Sequence, residues 1–168
     1  MQLTMQQTVQ TTFSQGLKAL DGILDKAAAF AEAKKIEPAV LLNARLAPDM
    51  FAFTRQVQIA CDFAKATPAR LAGVENPKFE DNETSFPELK ARIAKTQAFL
   101  NSIDKAKYDG CEDRDISVPT RAETLEFKGL PYLLGFALPN FYFHMATAYD
   151  ILRHNGVELG KRDFLARP

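Results

Sequence analysis

Both histidines of this chain, His144 and His154, fall in one stretch, PNFYFHMATAYDILRHNG, residues 139–156. An imidazole there can ligate a divalent metal, move a proton, or sit buried with its nitrogens hydrogen-bonded. Asn140 and Thr147 lie at minus four and plus three from His144, so on a helix all three share a face. Buried polar groups need partners, so this stripe reads either as a small pocket or as a side-chain network. His144 is accordingly either a metal or acid–base residue at the mouth of the fold, or a buried histidine bonded to a neighbour such as Asn140. Tyr142 and Tyr149 can add hydroxyls to a pocket, or pack at an edge with the oxygen in water. His154 follows Arg153 in the last turn, where positive or polar groups suit the helix dipole, and reads as a capping residue.

A second polar set precedes it. Arg55, Gln58, Asp62 and Lys65 recur at steps of three, four and three. A mixed-charge stripe at that spacing reads as a solvated helix face. Cys61 lies mid-helix among apolar residues and reads as a packed thiol. Cys111 sits in DGCEDRD, where acidic neighbours raise a thiol pKa. The two cysteines have no metal-like spacing, which suits a reduced cytoplasmic protein with free thiols. Arg45 and Asp49 flank Leu46-Ala47-Pro48 and could pair structurally. The chain has no glycine-rich phosphate loop, no Ser-His-Asp order and no basic–aromatic interleaving.

These residues need elements to place them. Residues 4–35 form one amphipathic helix with Val9, Phe13, Leu17, Leu20, Leu24, Ala27 or Ala28, and Ala31 as its stripe. A turn of helix follows at 38–43. Pro48 and Asp49 open a second long helix over 49–72, burying Phe53, Val57, Ala60, Cys61 and Ala64, with Ile59 and Phe63 widening the face. Pro68 should kink or restart it, and Gly73 should stop it. After a polar loop, Ser85 and Glu88 have capping-box spacing before a helix over 86–102. Its stripe is Leu89, Ile93, Ala94, Thr96 or Gln97, and Leu100. Period-two alternation at Ile116, Val118, Leu125 and Phe127 predicts a β-hairpin within 113–128. The last helix begins near Pro131 or Pro139 and ends at Gly156, with Pro139 marking a break or first turn.

Four long amphipathic segments with a hairpin before the last imply a mainly α single domain over 1–168, an antiparallel four-helix bundle. Lys plus Arg and Asp plus Glu are both 21, so no net charge draws the chain to nucleic acid or an anionic membrane. No apolar run approaches the ~20 residues of a membrane span, and the polar start is unlike a signal peptide.

The segments RLAPDMF, RQVQIACDFAK, LPNFYFH and ILRHNG together resemble an uncharacterised bacterial family within the DinB-like (YfiT-like) metalloenzyme superfamily. In that superfamily the last helix carries two histidines four apart, then an arginine in Leu-Arg nine residues on, then a glycine. Leu152-Arg153 and Gly156 fit that tail, and counting back places His144 at the second ligand position and Asn140 at the first. The resemblance implies a further metal histidine on the second helix; its closest local match is Gln58-Ile59-Ala60, so that ligand is Gln58 or is lost. If the Gln58 stripe is solvated, Val57, Ala60 or Cys61 would face inward instead. Relatives with the full three-histidine site bind a divalent metal and activate a thiol or water.

One histidine beside two neutral amides is a poor donor set for zinc or nickel. The expectation is therefore a metal-free ligand-binding or interaction protein with a degenerate metal site, taking a small molecule near Asn140, His144, Thr147, Gln58 and Tyr142. The alternative is a divalent-metal enzyme (zinc, nickel or iron), such as a thiol-cofactor S-transferase using His144. The resemblance implies a homodimer, and the wide apolar faces of the first two long helices are read as support for one.

Overall fold

The computed structural model describes residues 3–120 and 122–167. The protein is mainly helical, with one small two-stranded sheet. Helix α1, Met5–Lys34, opens on a full capping box: Gln7 N–H donates to Thr4 Oγ1 and Thr4 N–H to Gln7 Oε1, each at 3.1 Å. Its stripe is buried as expected, with Ile23 added. Helix α2 is the short Pro38–Leu42.

Helix α3 runs Phe53–Ala72, four residues later than expected. Ala52 is extended, and the Phe53 amide donates to the Ala44 carbonyl at 2.9 Å, so 49–52 stays outside the helix. Pro68 neither breaks nor restarts it. A proline inside a helix costs about 3 kcal/mol. Burial of Ala69, Leu71 and Ala72 in the same turn offsets that. Gly73, at φ +64°, stops the helix in the left-handed conformation that favours glycine.

Helix α4 is Phe86–Ser102. Ser85 Oγ accepts from the Glu88 amide at 3.3 Å, but the Glu88 carboxylate turns to the Thr84 amide, 2.6 Å away, not to Ser85. The capping box is thus displaced by one residue on one side. The stripe is also rotated: Ala94 is exposed, whereas Arg92 is buried beside Leu89, Ile93, Thr96 and Leu100.

Strands β1, Asp115–Pro119, and β2, Thr124–Lys128, pair antiparallel, with Ile116 opposite Phe127 and Val118 opposite Leu125. Ile116 and Val118 are buried against the helices, which a lone hairpin needs. Strand β2 leads directly into α5, Gly129–Tyr132, a π-helical turn over Leu133–Ala137, and α6, Leu138–His154. The helical path is therefore continuous from Gly129. The wider turn, closed by Leu138 N–H to Leu133 C=O, comes immediately before Pro139, whose ring would clash with a regular preceding turn. A last turn, α7, is Lys161–Phe164.

The four long helices share one core: α3 packs on α6 and α4, and α1 on α4, α3 and α6. The apolar stripes of α1 and α3 pack against the other helices within the chain. The exposed large apolar residues lie elsewhere, including Phe51, Leu130, Leu134 and Phe143. α1 and α6 approach closely at Gly16, where an added Cβ would lie 2.5 Å from Phe141 Cζ and 2.6 Å from Met145 Sδ. Phe141 also meets Phe13 edge to face at 4.8 Å.

Two glycines of α1 therefore respond oppositely to alanine. Gly22 has nothing within 4 Å of an added Cβ, so Gly22→Ala should gain about 0.5–1 kcal/mol of helix stability. Gly16→Ala makes the same backbone gain but overpacks a closed core, which costs about 1–3 kcal/mol. Chemical denaturation should show the midpoint rising for Gly22→Ala and falling for Gly16→Ala; two rises would refute the close contact.

Candidate functional site

His144 projects from α6 toward α3, and its residue is 9% exposed. Its Nδ1 lies 2.7 Å from Gln56 Oε1. Gln56 Nε2 in turn donates to the Phe51 carbonyl at 3.1 Å. A carbonyl can only accept, so this bond orients the amide and presents Oε1, also an acceptor, to the imidazole. His144 must then carry its proton on Nδ1, and Nε2 keeps the lone pair. Among the described residues Nε2 makes no hydrogen bond to protein. Burial, reinforced by the nearby Arg55 charge, pushes the His144 pKa down to about 4, so the ring is neutral at pH 7. Phe63 stacks on it at 6.1 Å and Phe143 meets it edge-on at 5.2 Å.

The partner of His144 is thus Gln56, not Asn140. Asn140 Nδ2 donates to the Phe136 carbonyl at 2.8 Å, and Thr147 Oγ1 to the Phe143 carbonyl at 2.8 Å. Both bonds are local, four residues back, and neither joins Asn140 or Thr147 to His144. Tyr142 is exposed. Val57, Ala60 and Cys61 of α3 are fully buried, but the α3 residue that bonds His144 is Gln56, which sits at the +3 spacing of the buried stripe from Phe53. That spacing was the signal available in the sequence.

The Arg55–Lys65 stripe is only partly solvated: Gln58 and Lys65 are buried, while the Arg55 and Asp62 side chains stay more than a third exposed. Gln58 is 4% exposed, and its Nε2 donates to Glu83 Oε2 at 2.8 Å. Loop 74–84 lies over this face, held by Arg92 of α4. The Arg92 side chain is 2% exposed, and its guanidinium meets Asp62 and Asp81 at 2.9 Å and Glu83 at 3.0 Å. It also donates to the Glu80 carbonyl at 3.0 Å. Arg55 pairs with Asp81, and Lys65 donates to the Pro77 carbonyl. Burial raises the Asp62 pKa against the opposing pull of Arg92, and burial lowers that of Lys65.

Between α3, this loop, the end of β1 and Phe136 lies a cleft of about 550 Å³. Phe63 is its wall on the side of His144. The rings form a column: Tyr132 stacks on Phe136 at 6.0 Å, Phe136 meets Phe63 at 6.0 Å, and Phe63 stacks on His144. Arg70 also lines the cleft, its Nη1 donating to the buried Tyr132 hydroxyl at 3.1 Å.

The thiols are inert by environment. Burial pushes Cys61 up to about 12, and burial with Glu112 raises Cys111, which is fully buried rather than in an open loop. His154 is exposed, and Asn155 Nδ2 caps the Ile151 carbonyl instead. Arg45 donates to the Met50 carbonyl, not to Asp49.

The positions that would hold a metal are not brought together. Gln58 faces the loop acid Glu83, Asn140 is turned to its own helix, and only His144 Nε2 remains as a donor. Among the described residues no group of three or more His, Cys, Asp or Glu is placed to hold a metal ion. The donor set does not fit a divalent metal.

Comparison with known proteins agrees with this architecture. A family model described as a domain of unknown function (DUF1993) matches residues 5–165. Among solved structures, the chain is similar to a DinB family member protein from Shewanella denitrificans, with 48% identity and a TM-score of 0.86. The match covers 93% of this chain and 88% of that one. No curated protein matches. Among the described residues no helix is long and apolar enough to cross a membrane.

Two outcomes follow from these geometries. The folded His144 pKa lies below its ordinary 6.5, so the unfolded chain takes up the proton first as pH falls. This contribution is complete above pH 6.5, is lost toward about pH 4, and loses nothing further below that. Relative to wild type, His144→Gln should flatten stability against pH in that window by up to about 1.4 kcal/mol per unit; parallel curves would contradict the buried neutral ring. Arg92→Met leaves three carboxylates facing one another and should cost about 3 kcal/mol. Amide exchange should then rise first in loop 74–84.

Proposed function

The chain belongs to the DUF1993 family of domains of unknown function, and from that premise we propose that it is a metal-free small-molecule-binding protein of DinB-like architecture. On this reading it is a single four-helix-bundle domain with the β-hairpin inserted before its last helix. The superfamily's ligand helix is kept as a frame while its metal chemistry is gone. The observation that carries the reading is the cleft of about 550 Å³ whose aromatic wall, Phe63, is backed by His144. That volume lies within the range of small-molecule sites, roughly 300–1,000 Å³, and the lining is apolar with a few convergent charges. His144 acts here as a positioning residue. Its neutral ring, locked in one tautomer by Gln56, supports Phe63 from behind.

The second reading, a divalent-metal enzyme such as a thiol-cofactor S-transferase, draws on His144 Nε2, whose lone pair makes no hydrogen bond to protein among the described residues. Elemental analysis separates the two, on protein as purified and after refolding with excess zinc, nickel or iron. The metal-free reading expects no stoichiometric metal under either condition. A stoichiometric ion that His144→Ala loses would overturn it. For binding, the expectation is that fragments of bicyclic size shift the resonances of Phe63 and Phe136 in an NMR screen, and that Phe136→Ala weakens them several-fold. A screen whose hits all map away from the cleft would remove the cleft as the site.

A further inference from the structure

The charges around the cleft are not equivalent, and their commitments identify what it takes. Two carboxylates line it, Asp62 and Asp81. Asp62 is paired with Arg92, and Asp81 with both Arg92 and Arg55. Neither arginine lines the cleft, so the acids are neutralised from behind. Of the three lining cations, Lys65 is also committed, to the Pro77 carbonyl, to Asp62 at 3.8 Å and over the Phe79 ring. The other two, Arg70 and Lys78, have no ion pair among the described residues.

Arg70 is also preorganised. Its Nη1 bonds the Tyr132 hydroxyl, a fully buried group near Thr67 Oγ1 at 3.4 Å, and its guanidinium lies 5.9 Å from the Tyr132 ring. Among the described residues Nη2 and Nε have no hydrogen-bond partner. A guanidinium held this way presents a planar edge suited to a carboxylate, and less side-chain entropy is lost on binding. Beside it, Phe136 and Phe63 supply flat apolar surface.

We propose that the cleft binds a small aromatic carboxylate, with its ring against Phe63 and Phe136 and its carboxylate on Arg70, assisted by Lys78. This rests on the cleft being the ligand site and adds the ligand's chemical class. The uncommitted positive charge selects against amines of the same shape, and the aromatic walls select against inorganic anions, which have no apolar body to bury.

The test uses the full chain and three probes on one ring system: 2-naphthoate, 2-naphthylmethanol and 2-naphthylmethylammonium. Affinities come from calorimetry and the site from NMR shifts at Phe63 and Phe136. The expected order is naphthoate first, by about tenfold or more over the alcohol, with the ammonium weakest. Arg70→Gln should remove the naphthoate preference while leaving alcohol binding within about twofold, Arg70→Lys should restore part of it, and Lys78→Gln should weaken naphthoate less. Thermal denaturation of each variant checks that the fold is retained. If the alcohol or the ammonium binds in the cleft as well as naphthoate does, the carboxylate assignment falls and the cleft reading survives. If no probe shifts Phe63 or Phe136, both fall. Naphthoate binding unchanged in Arg70→Gln overturns the role of Arg70.

Discussion

A guanidinium shut away from water has to be met by negative charge, and Arg92 gathers that charge from three places. Its own helix supplies none. Asp62 comes from α3, and Asp81 and Glu83 come from the loop between α3 and α4. Beside the contacts of Val74 with the core and of Phe79 with Lys65, Arg92 and Lys95, the ion cluster holds the loop over α3. Everything proposed for function lies under or beside that loop. Gln58 and Lys65 are buried because it covers them, and the cleft exists because the loop forms one of its walls. The cluster also decides the sign of the cleft, since it neutralises the two lining carboxylates and leaves the remaining cations unmatched.

The second constraint runs through main-chain carbonyls. Because α3 starts at Phe53 and not at Asp49, the Phe51 carbonyl lies outside the helix and is free to accept from Gln56. That bond orients the amide, the amide sets the histidine tautomer, and the histidine stacks on Phe63. A boundary shift of four residues thus has a chemical consequence at a histidine 88 residues from Gln56. The π-helical turn before Pro139 plays a comparable part on α6. It lets the helical path continue past a proline, so that Tyr132, Phe136 and His144 lie along one side and the aromatic column forms.

Much of the scaffold was legible from residue types alone. The long helices, the hairpin and the Gly73 stop follow from periodicity and turn chemistry, and α4 has its expected bounds. The residues that failed were polar ones at apolar spacing. Gln56 and Arg92 both fall on the buried stripe of their helix, and a polar side chain at such a position gives no apolar signal. The Arg55–Lys65 stripe misled for the complementary reason: its spacing suits a solvated face, and only a distant loop buries Gln58 and Lys65 within it. Asn140 and His144 share a helix face, but a side-chain amide can satisfy itself on its own backbone four residues back, and Asn140 does.

By itself the sequence determined the elements and the apolar stripes that join them, because those depend on local propensity and on a period set by the helix or the strand. It also determined that three imidazoles cannot meet, since the chain has two. Tertiary structure alone decided which α3 residue faces His144, which charges are neutralised and which remain open. Those outcomes depend on groups far apart in sequence, Asp62 with Arg92 and Gln56 with His144, whose partners are selected by burial once the helices have packed. No spacing rule encodes that choice, because it is made by the cost of leaving a buried polar group unpaired.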